Sequence, residues 1–267
     1  MPASKASALD MPAVNCHLAS GVATLTLNRP DRFNTLSETM LSALSDALQA
    51  LREEPELRCV VIAATGRAFC TGHDLKEMQA RQEHAYYQDL FRRCGTLMQH
   101  IVDFPLPVIA RVHGVATAAG CQLVASCDMA VAARSARFAV SGINVGLFCA
   151  TPAVALSRDI GRKRALEMLL TGEFISAETA LEWGLVNRVA DDDQLDEALN
   201  ALTASLTQKS ALALSTGKAM FRRQAELPLE QAYAFAADTM ADNMLADDVS
   251  EGISAFFEKR PAQWRHR

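Results

Sequence analysis

The sequence predicts a mixed α/β fold with a helical C-terminal region, and three observations support this prediction. Apolar segments of strand length alternate with amphipathic helical segments over residues 13 to 189, as in sheets joined by helical crossovers. Residues 194 to 259 are helical by composition, without strand-like segments. Half of the 267 residues are hydrophobic, so the chain can bury a full core.

The first part of the chain contains a hairpin, a helix and a buried strand. The pattern AVNCHLASGVATLTLNRP alternates around Ser20 and Gly21, which predicts two antiparallel strands. Ser37 is placed to cap a helix whose leucines at 41, 44, 48 and 51 share one face. The run RCVVIAATG is almost continuously apolar, as expected for a strand covered on both faces.

Further strand and helix pairs follow in the middle of the chain. Apolar residues at helical spacing predict a long amphipathic helix over 87–101. The strand PVIARVHG leads through a small-residue turn into a helix, VATAAGCQLVAS. DMAVAA and ARFAV predict two more strands, and RALEMLLTG predicts a helix ended by Gly172. The last of these helices is capped by Ser176 and ended by Gly184.

Charge and composition exclude several function classes. The formal net charge of -5 argues against nucleic-acid or anionic-membrane partners, which require a clustered basic face. The longest apolar runs fall short of the roughly 18 residues of a membrane span. The N-terminal segment lacks the features of a signal or transit peptide, which predicts a cytoplasmic protein. A mitochondrial matrix protein that has lost its presequence would look the same.

The cysteines and histidines do not form a metal-binding pattern. Seven cysteines are an odd number and mostly lie in apolar runs, which indicates reduced core thiols. Cys70 and His73 stand at ligand spacing, but no second pair accompanies them, so we expect no metal.

Two segments share a pattern that is typical of a binding site. VIAATGRAFCTGHDLKEM and VIARVHGVATAAGCQL each run from an apolar strand through small residues into a helix. The first backbone N–H groups of such a helix have no helical partner, and the helix dipole adds partial positive charge. Small residues also let a substrate approach the backbone closely. The two junctions could therefore converge on one anionic oxygen.

The residues of these segments resemble a known superfamily. AFCTGHDLKEM resembles the AF-x-x-G-x-D-[IL]-KEM stretch of the enoyl-CoA hydratase/isomerase (crotonase) superfamily, and HGVATAAGCQLVASCD resembles its NG-x-A-x-GGG-CEL-x-x-x-CD stretch. LNRPDRFNTLS, GRKRALEMLLTGEFISAETALEWGLVNRV and EGISAFFEKRP also match, so the resemblance extends over about residues 13 to 264 in order. It implies an α/β spiral of ββα units at residues 13–200 and a helical oligomerisation region at 201–267.

The resemblance also implies a ligand and an assembly. Family members bind acyl-CoA thioesters, without a permanently bound cofactor, and form trimers that often pair into hexamers. The thioester oxygen would lie between two backbone N–H groups, which belong here to His73 and Ala119. Such an oxyanion hole stabilises the enolate that forms when charge moves onto this oxygen.

Residues that match the CoA-binding positions of the family lie in two parts of the chain. Arg29, Thr71 and Lys76 would bind the CoA moiety within one subunit, where cations near phosphates are favourable. Phe256 and Lys259 would reach the adenine and phosphates of a CoA molecule held by a neighbouring subunit.

The sequence departs from the family at both catalytic glutamates of the hydratases. Gln122 replaces the glutamate of CEL, and Gly142 replaces the glutamate that lies four residues after the strand phenylalanine. An amide can orient a substrate but cannot take its proton, and Gly142 is expected to leave space for a water or small anion. Because a positioned acid or base contributes about 10²- to 10⁴-fold, we expect hydration to be weak.

Other branches of the superfamily act from the segment NVGLFCATP. Cys149 stands where methylmalonyl-CoA decarboxylase has tyrosine and other branches have aspartate, whereas Asn144 and the GHD motif at 72–74 resemble the decarboxylase. The residues leave three functions open: a hydratase- or isomerase-like role in lipid or acyl-CoA metabolism, a decarboxylase- or lyase-like activity, and acyl-CoA binding without catalysis. The acidic net charge disfavours RNA binding.

Overall fold

Two sheets form the centre of the computed structural model, which describes residues 11–266. The larger sheet contains, in spatial order, β1 (Val14–Ala19), β2 (Val22–Leu27), β3 (Cys59–Ala64), β5 (Val108–Val112), β7 (Met129–Ala133) and β10 (Arg188–Ala190). The smaller sheet contains β4 (Ala68–Cys70), β6 (Val115–Thr117), β8 (Arg137–Ala139) and β9 (Ile175–Ser176).

Repeated ββα units connect the two sheets. Strand β3 continues into β4, β5 into β6 and β7 into β8, so each unit gives one strand to each sheet. Neighbouring strands from these units pair in parallel, whereas β1 and β2 form the predicted antiparallel hairpin. Helices follow the second strand of each unit. This arrangement confirms the predicted α/β spiral.

The described part of the chain contains eleven α-helices, and the ends of three of them follow the predicted caps. The Ser37 Oγ accepts a hydrogen bond from Met40 N, and the Ser176 Oγ accepts one from Thr179 N. Gly172 ends its helix in the left-handed conformation. The helices are α1 (Glu38–Leu51), α2 (Leu75–Ala80), α3 (His84–Val102), α4 (Ala119–Ser126), α5 (Ala150–Asp159), α6 (Arg162–Thr171), α7 (Ala177–Trp183), α8 (Leu195–Thr207), α9 (Ala211–Gln224), α10 (Leu229–Met244) and α11 (Asp247–Glu258).

Apolar clusters lie on both faces of the larger sheet. On one face, the buried leucines of α1 and the buried residues of α3 pack with Phe69, Phe104 and Phe138 in the main core. On the other face, leucines of α8 pack with Val61 and Ile109. The boundary predicted between residues 200 and 201 therefore falls inside a helix that covers the sheet.

A partly buried ion-pair cluster attaches the helical tail to the spiral. The Lys218 ammonium on α9 lies 2.6 Å from a carboxylate oxygen of Asp128 and donates to the backbone carbonyls of Ile101 and Leu106. Arg222 lies 2.8 Å from the other Asp128 oxygen. The tail is therefore docked on the spiral.

The last two helices carry a large exposed apolar surface. The exposed large apolar residues of α10 and α11 are Leu229, Tyr233, Met240, Met244, Ile253, Phe256 and Phe257.

Two expectations from the composition can be compared with the structure. Among the described residues no helix is long and apolar enough to cross a membrane. Six of the seven free cysteines are buried as expected, and Cys16 on β1 is the exposed exception.

Candidate active site

The two small-residue turns identified in the sequence lie side by side. Strands β4 and β6 pair in parallel, so their carboxyl ends reach the same edge of the smaller sheet. Gly72 follows β4 with φ +87°, and a Cβ on it would lie 2.9 Å from the Ala118 Cβ and 3.2 Å from Ala119 N. Because a side chain would separate the two turns, this contact requires glycine.

The turn before α4 has a strained backbone conformation. Ala118 adopts φ 51° and ψ −122°, a region that favours glycine. Its N–H donates to Ala139 O, and its carbonyl accepts the Gln122 N–H that begins α4. A Cβ on Gly120 would collide with the carbonyl oxygen of Cys70, so α4 begins directly against β4. Strain of this kind is often retained at functional sites.

Two backbone donors at this contact are free of protein acceptors. Within residues 11–266, neither the His73 N–H nor the Ala119 N–H donates to a backbone or side-chain acceptor. Ala119 is the first residue of α4, where the helix dipole adds partial positive charge. The arrangement can hold an anionic oxygen, as predicted for these two residues.

The His73 side chain is enclosed between the first turn and α3. Its Nδ1 lies 3.2 Å from Leu36 O, and its ring packs edge to face on Phe91 at a centroid distance of 5.5 Å. Burial lowers the pKa of the imidazole below its ordinary value of 6.5, so the ring is neutral near pH 7. Within the described chain, the buried Nε2 atom has no hydrogen-bond partner.

Gln122 lies on α4, one turn after Ala119. The residue is only 4% exposed, and within residues 11–266 its buried Oε1 atom has no hydrogen-bond partner. Its backbone carbonyl accepts a hydrogen bond from Ser126 Oγ. The side chain therefore presents an uncommitted amide acceptor in the first turns of this helix.

The space next to Gly142 is filled, contrary to the expectation from the sequence. A Cβ at this position would lie 2.6 Å from the Cys149 Sγ and 2.7 Å from Leu147 O. The Gly142 N–H also donates to the thiol sulfur. Burial raises the pKa of Cys149, and this hydrogen bond offsets only part of the rise. The thiol is therefore protonated near pH 7 and is not an activated nucleophile.

A hydrogen bond joins this segment to the turn before α4. The Thr117 Oγ1 lies 2.8 Å from the Ser141 Oγ. Because Thr117 precedes the strained alanine and Ser141 precedes Gly142, the bond places the Gly142 segment beside the two turns. The sequence analysis did not identify this pair, since nothing in their local pattern distinguishes them. Asn144 is exposed, and its amide donates to Gly172 O at the end of α6.

The predicted CoA-binding residues Thr71 and Lys76 are close in sequence to the turn after β4, and Arg29 belongs to a segment that contacts this turn. An isolated bridge between Leu36 and His73 joins the segment after Arg29 to this turn. The Arg29 guanidinium donates to the carbonyls of Met11, Pro12 and Asn28, so it also attaches residues 11 and 12 to the end of β2. Thr71 Oγ1 donates to Phe33 O, and Lys76 is exposed at the start of α2.

The other two predicted CoA-binding residues lie at the end of α11. Phe256 is 78% exposed and packs edge to face on Phe257. Lys259 ends the helix in the left-handed conformation and is exposed.

Across the described residues no cluster of three or more potential metal ligands occurs.

Comparison with known proteins identifies the family. The family model described as Enoyl-CoA hydratase/isomerase matches residues 17–267. The chain belongs to the enoyl-CoA hydratase/isomerase family. It is 44% identical over 246 residues to the rat protein named enoyl-CoA hydratase domain-containing protein 3, mitochondrial, with 92% of this chain and 82% of the rat protein covered.

Solved structures of this family share the fold. A Mycobacterium smegmatis enoyl-CoA hydratase has a TM-score of 0.93 at 56% identity, covering 95% of this chain and 99% of that chain. Human enoyl-coenzyme A hydratase domain-containing protein 3 has a TM-score of 0.92 at 43% identity, covering 94% and 100%. These matches confirm the crotonase fold and the predicted relation to the hydratase domain-containing subgroup.

Proposed function

We propose that this protein forms a thioester enolate from an acyl-CoA substrate and hydrates 2-enoyl-CoA only weakly. The contact between Gly72 and Ala119 supports this proposal, because it brings the free Ala119 N–H beside the residue that directly precedes the free His73 N–H. An oxyanion-hole donor contributes about 2.7–4 kcal/mol to transition-state stabilisation. The enoyl-CoA hydratase/isomerase family supplies the substrate class, an acyl-CoA thioester.

The weak hydration follows from the groups that flank this hole. Hydration requires water delivered to one carbon and a proton delivered to its neighbour. The Gln122 amide neither gives nor takes a proton near pH 7. Gly142 has no side chain, and the atoms around it leave no room for one. The buried Cys149 thiol cannot accept a proton near pH 7, because burial raises its pKa and keeps it protonated. Enolate formation needs only the hole and one proton acceptor.

We also propose where CoA binds and how the subunits assemble. Arg29, Thr71 and Lys76 bind the CoA moiety, while Phe256 and Lys259 reach the ligand of a neighbouring subunit in a trimer or a pair of trimers. The exposed apolar faces of α10 and α11 support an assembly of this kind. We place the end of the spiral after α8 rather than at residue 200, because α8 packs on the larger sheet. The compartment is cytoplasmic, or the mitochondrial matrix.

Acyl-CoA binding without catalysis is the main alternative. Both functions are compatible with the oxyanion hole and with the absence of the two glutamates. Only an assay of enolate formation therefore separates catalysis from binding alone. A decarboxylase would bind a substrate carboxylate, but His73 and Gln122 are neutral and offer it no positive charge. The geometry therefore favours substrates that lose a proton from C2 over substrates that lose carbon dioxide.

The test removes one N–H group without changing a side chain. Replacing Ala119 by lactic acid converts its amide into an ester and deletes the donor, and the same replacement at Ala177, the first residue of α7, is the matched control. Exchange of the C2 protons of butyryl-CoA with D₂O reports enolate formation, and calorimetry reports binding. We expect exchange to fall about 100-fold or more at Ala119 only, with binding retained. Unchanged exchange at Ala119 would overturn the proposal.

A further inference from the structure

The chain reverses direction after α11 and returns along the same helix. Lys259 ends α11 with φ 54°, which turns the backbone. In the C-terminal segment, residues 260–266, the guanidinium of Arg260 donates to both carboxylate oxygens of Glu251, at 2.6 and 3.0 Å. The last two N–H groups of the segment donate to the carboxylate of Asp248, in the first turn of α11. The segment therefore runs back from the end of α11 to its beginning.

The same segment attaches α11 to the turn between α8 and α9. The Trp264 Nε1–H donates to Gln208 O at 2.7 Å, and the Ala211 N–H donates to the His266 Nδ1 at 3.1 Å. A Cβ on Gly252 would lie 3.2 Å from the Trp264 ring, so the indole packs directly against the backbone of α11. Trp264 thus lies between α11 and the turn and contacts both.

The orientation of α11 depends on these contacts because the helix buries few side chains. Within α11, which the structure describes in full, only Asp248 and Ala255 are buried. Asp248 is 3% exposed, and its carboxylate also hydrogen bonds to Ser210, the residue that caps α9. A helix with so little apolar burial is held in place mainly by its polar contacts, and the C-terminal segment supplies most of them.

Phe256 and Lys259 lie at the end of α11 where the chain reverses. We propose that the C-terminal segment positions α11 so that these two residues reach the nucleotide of CoA on a neighbouring subunit. This inference rests on the proposed role of Phe256 and Lys259 in CoA binding. Trp264 and Glu251 are positioning residues, which act through α11. A helix that is already oriented does not have to be ordered when the ligand binds, so the affinity is higher.

The segment should therefore affect one part of the ligand. A 4′-phosphopantetheine thioester has the acyl group and the pantetheine arm of an acyl-CoA, but it lacks the adenosine and its 3′-phosphate. The aromatic ring of Phe256 and the ammonium of Lys259 suit an adenine and a phosphate, respectively. Loss of the segment should weaken binding of the CoA thioester and leave binding of the phosphopantetheine thioester unchanged.

The experiment compares the affinities of butyryl-CoA and butyryl-4′-phosphopantetheine by calorimetry. Trp264→Ala removes the contacts with Gln208 and Gly252. Glu251→Ala removes the ion pair with Arg260 and leaves the indole in place, so it serves as a second variant if the first folds poorly. Trp183→Ala is the matched control, because Trp183 is the other tryptophan of the chain and lies at the end of α7.

We expect Trp264→Ala and Glu251→Ala to bind butyryl-CoA about tenfold more weakly than wild type, the effect of losing one charge-assisted contact. Both should bind the phosphopantetheine thioester with wild-type affinity, and Trp183→Ala should bind both ligands as wild type does. In a protein that already carries Phe256→Ala and Lys259→Ala, Trp264→Ala should cause no further loss, because the segment acts through these two residues.

Three results would overturn this inference. They are wild-type affinity for butyryl-CoA in both segment variants, an equal loss for the two ligands, and a lower mass of both variants in sedimentation, since the segment is proposed to orient a helix within an intact assembly. If Phe256→Ala with Lys259→Ala binds butyryl-CoA as wild type does, the proposed role of α11 in CoA binding fails instead.

Discussion

The contact between Gly142 and Cys149 provides a quantitative test of the site. A Cβ at position 142 would lie 2.6 Å from the thiol sulfur and 2.7 Å from Leu147 O, where ordinary contact begins at 3.4 Å. Overpacking of this kind costs about 1–3 kcal/mol, and two overlaps place Gly142→Ala near 2 kcal/mol. Cys149→Ala alone leaves a small cavity that costs about 1 kcal/mol.

The double variant separates the two overlaps. Gly142→Ala with Cys149→Ala keeps the overlap at Leu147 O and removes the overlap at sulfur. The free energy of unfolding should therefore fall by about 2 kcal/mol rather than the additive 3, a coupling of about 1 kcal/mol. Urea unfolding of the four proteins at one protein concentration measures this coupling, since an oligomer's midpoint depends on concentration. Additive losses, within about 0.3 kcal/mol, would refute the contact.

The same contact determines whether hydration can be restored. Gln122→Glu with Gly142→Glu returns both carboxylates but forces the second against the thiol. Adding Cys149→Ala removes that obstacle, and we expect hydration of crotonyl-CoA to rise about 100-fold above wild type only in the triple variant. If the variant that retains Cys149 hydrates equally fast, the thiol does not exclude a side chain at position 142.

Three further predictions concern the two turns. Gly72→Ala combines φ +87° with a 2.9 Å overlap, so stability should fall by about 2 kcal/mol and C2 exchange at least tenfold; a variant with wild-type unfolding and exchange would contradict the contact. Ala118→Gly relieves φ 51° and should raise stability by about 1 kcal/mol without changing exchange; a destabilised variant would mean that this backbone is not strained. Because the folded-state pKa of His73 lies below its ordinary value of 6.5, the unfolded chain binds the proton first, and stability should fall as pH drops below 6.5. Thermal unfolding of His73→Asn should show a smaller fall, since His266, whose pKa is also lowered by burial, contributes equally to both proteins; identical pH profiles would contradict the burial of His73.

Features set by neighbouring residues in the chain could be predicted from the sequence. The caps at Ser37 and Ser176 and the helix end at Gly172 are local, because a side chain or a glycine acts on the backbone within one turn. The buried leucine face of α1 follows from helical spacing alone. Family resemblance supplied the spiral, which local patterns indicate only as alternation of strands and helices.

Features that depend on residues far apart in the chain or on atomic packing could not be predicted. The expected space beside Gly142 is filled by a sulfur seven residues later, which requires the fold of an irregular loop. The bond between Thr117 and Ser141 joins the end of β6 to the segment after β8, across 24 residues. The burial of the His73 ring depends on Leu36 and α3, which no spacing around the histidine indicates.

The most direct test is the hydration rate of crotonyl-CoA, because it measures whether an enzyme with an oxyanion hole but without the two glutamates can still add water to its substrate. Loss of the conjugated enoyl absorbance is followed with protein shown beforehand to bind CoA, beside an ordinary family hydratase at equal concentration. We expect a rate at least about 100-fold below that hydratase, together with measurable C2 exchange of butyryl-CoA. A rate equal to that of the hydratase would contradict it and would show that Gln122 and Gly142 have functional substitutes elsewhere in the site.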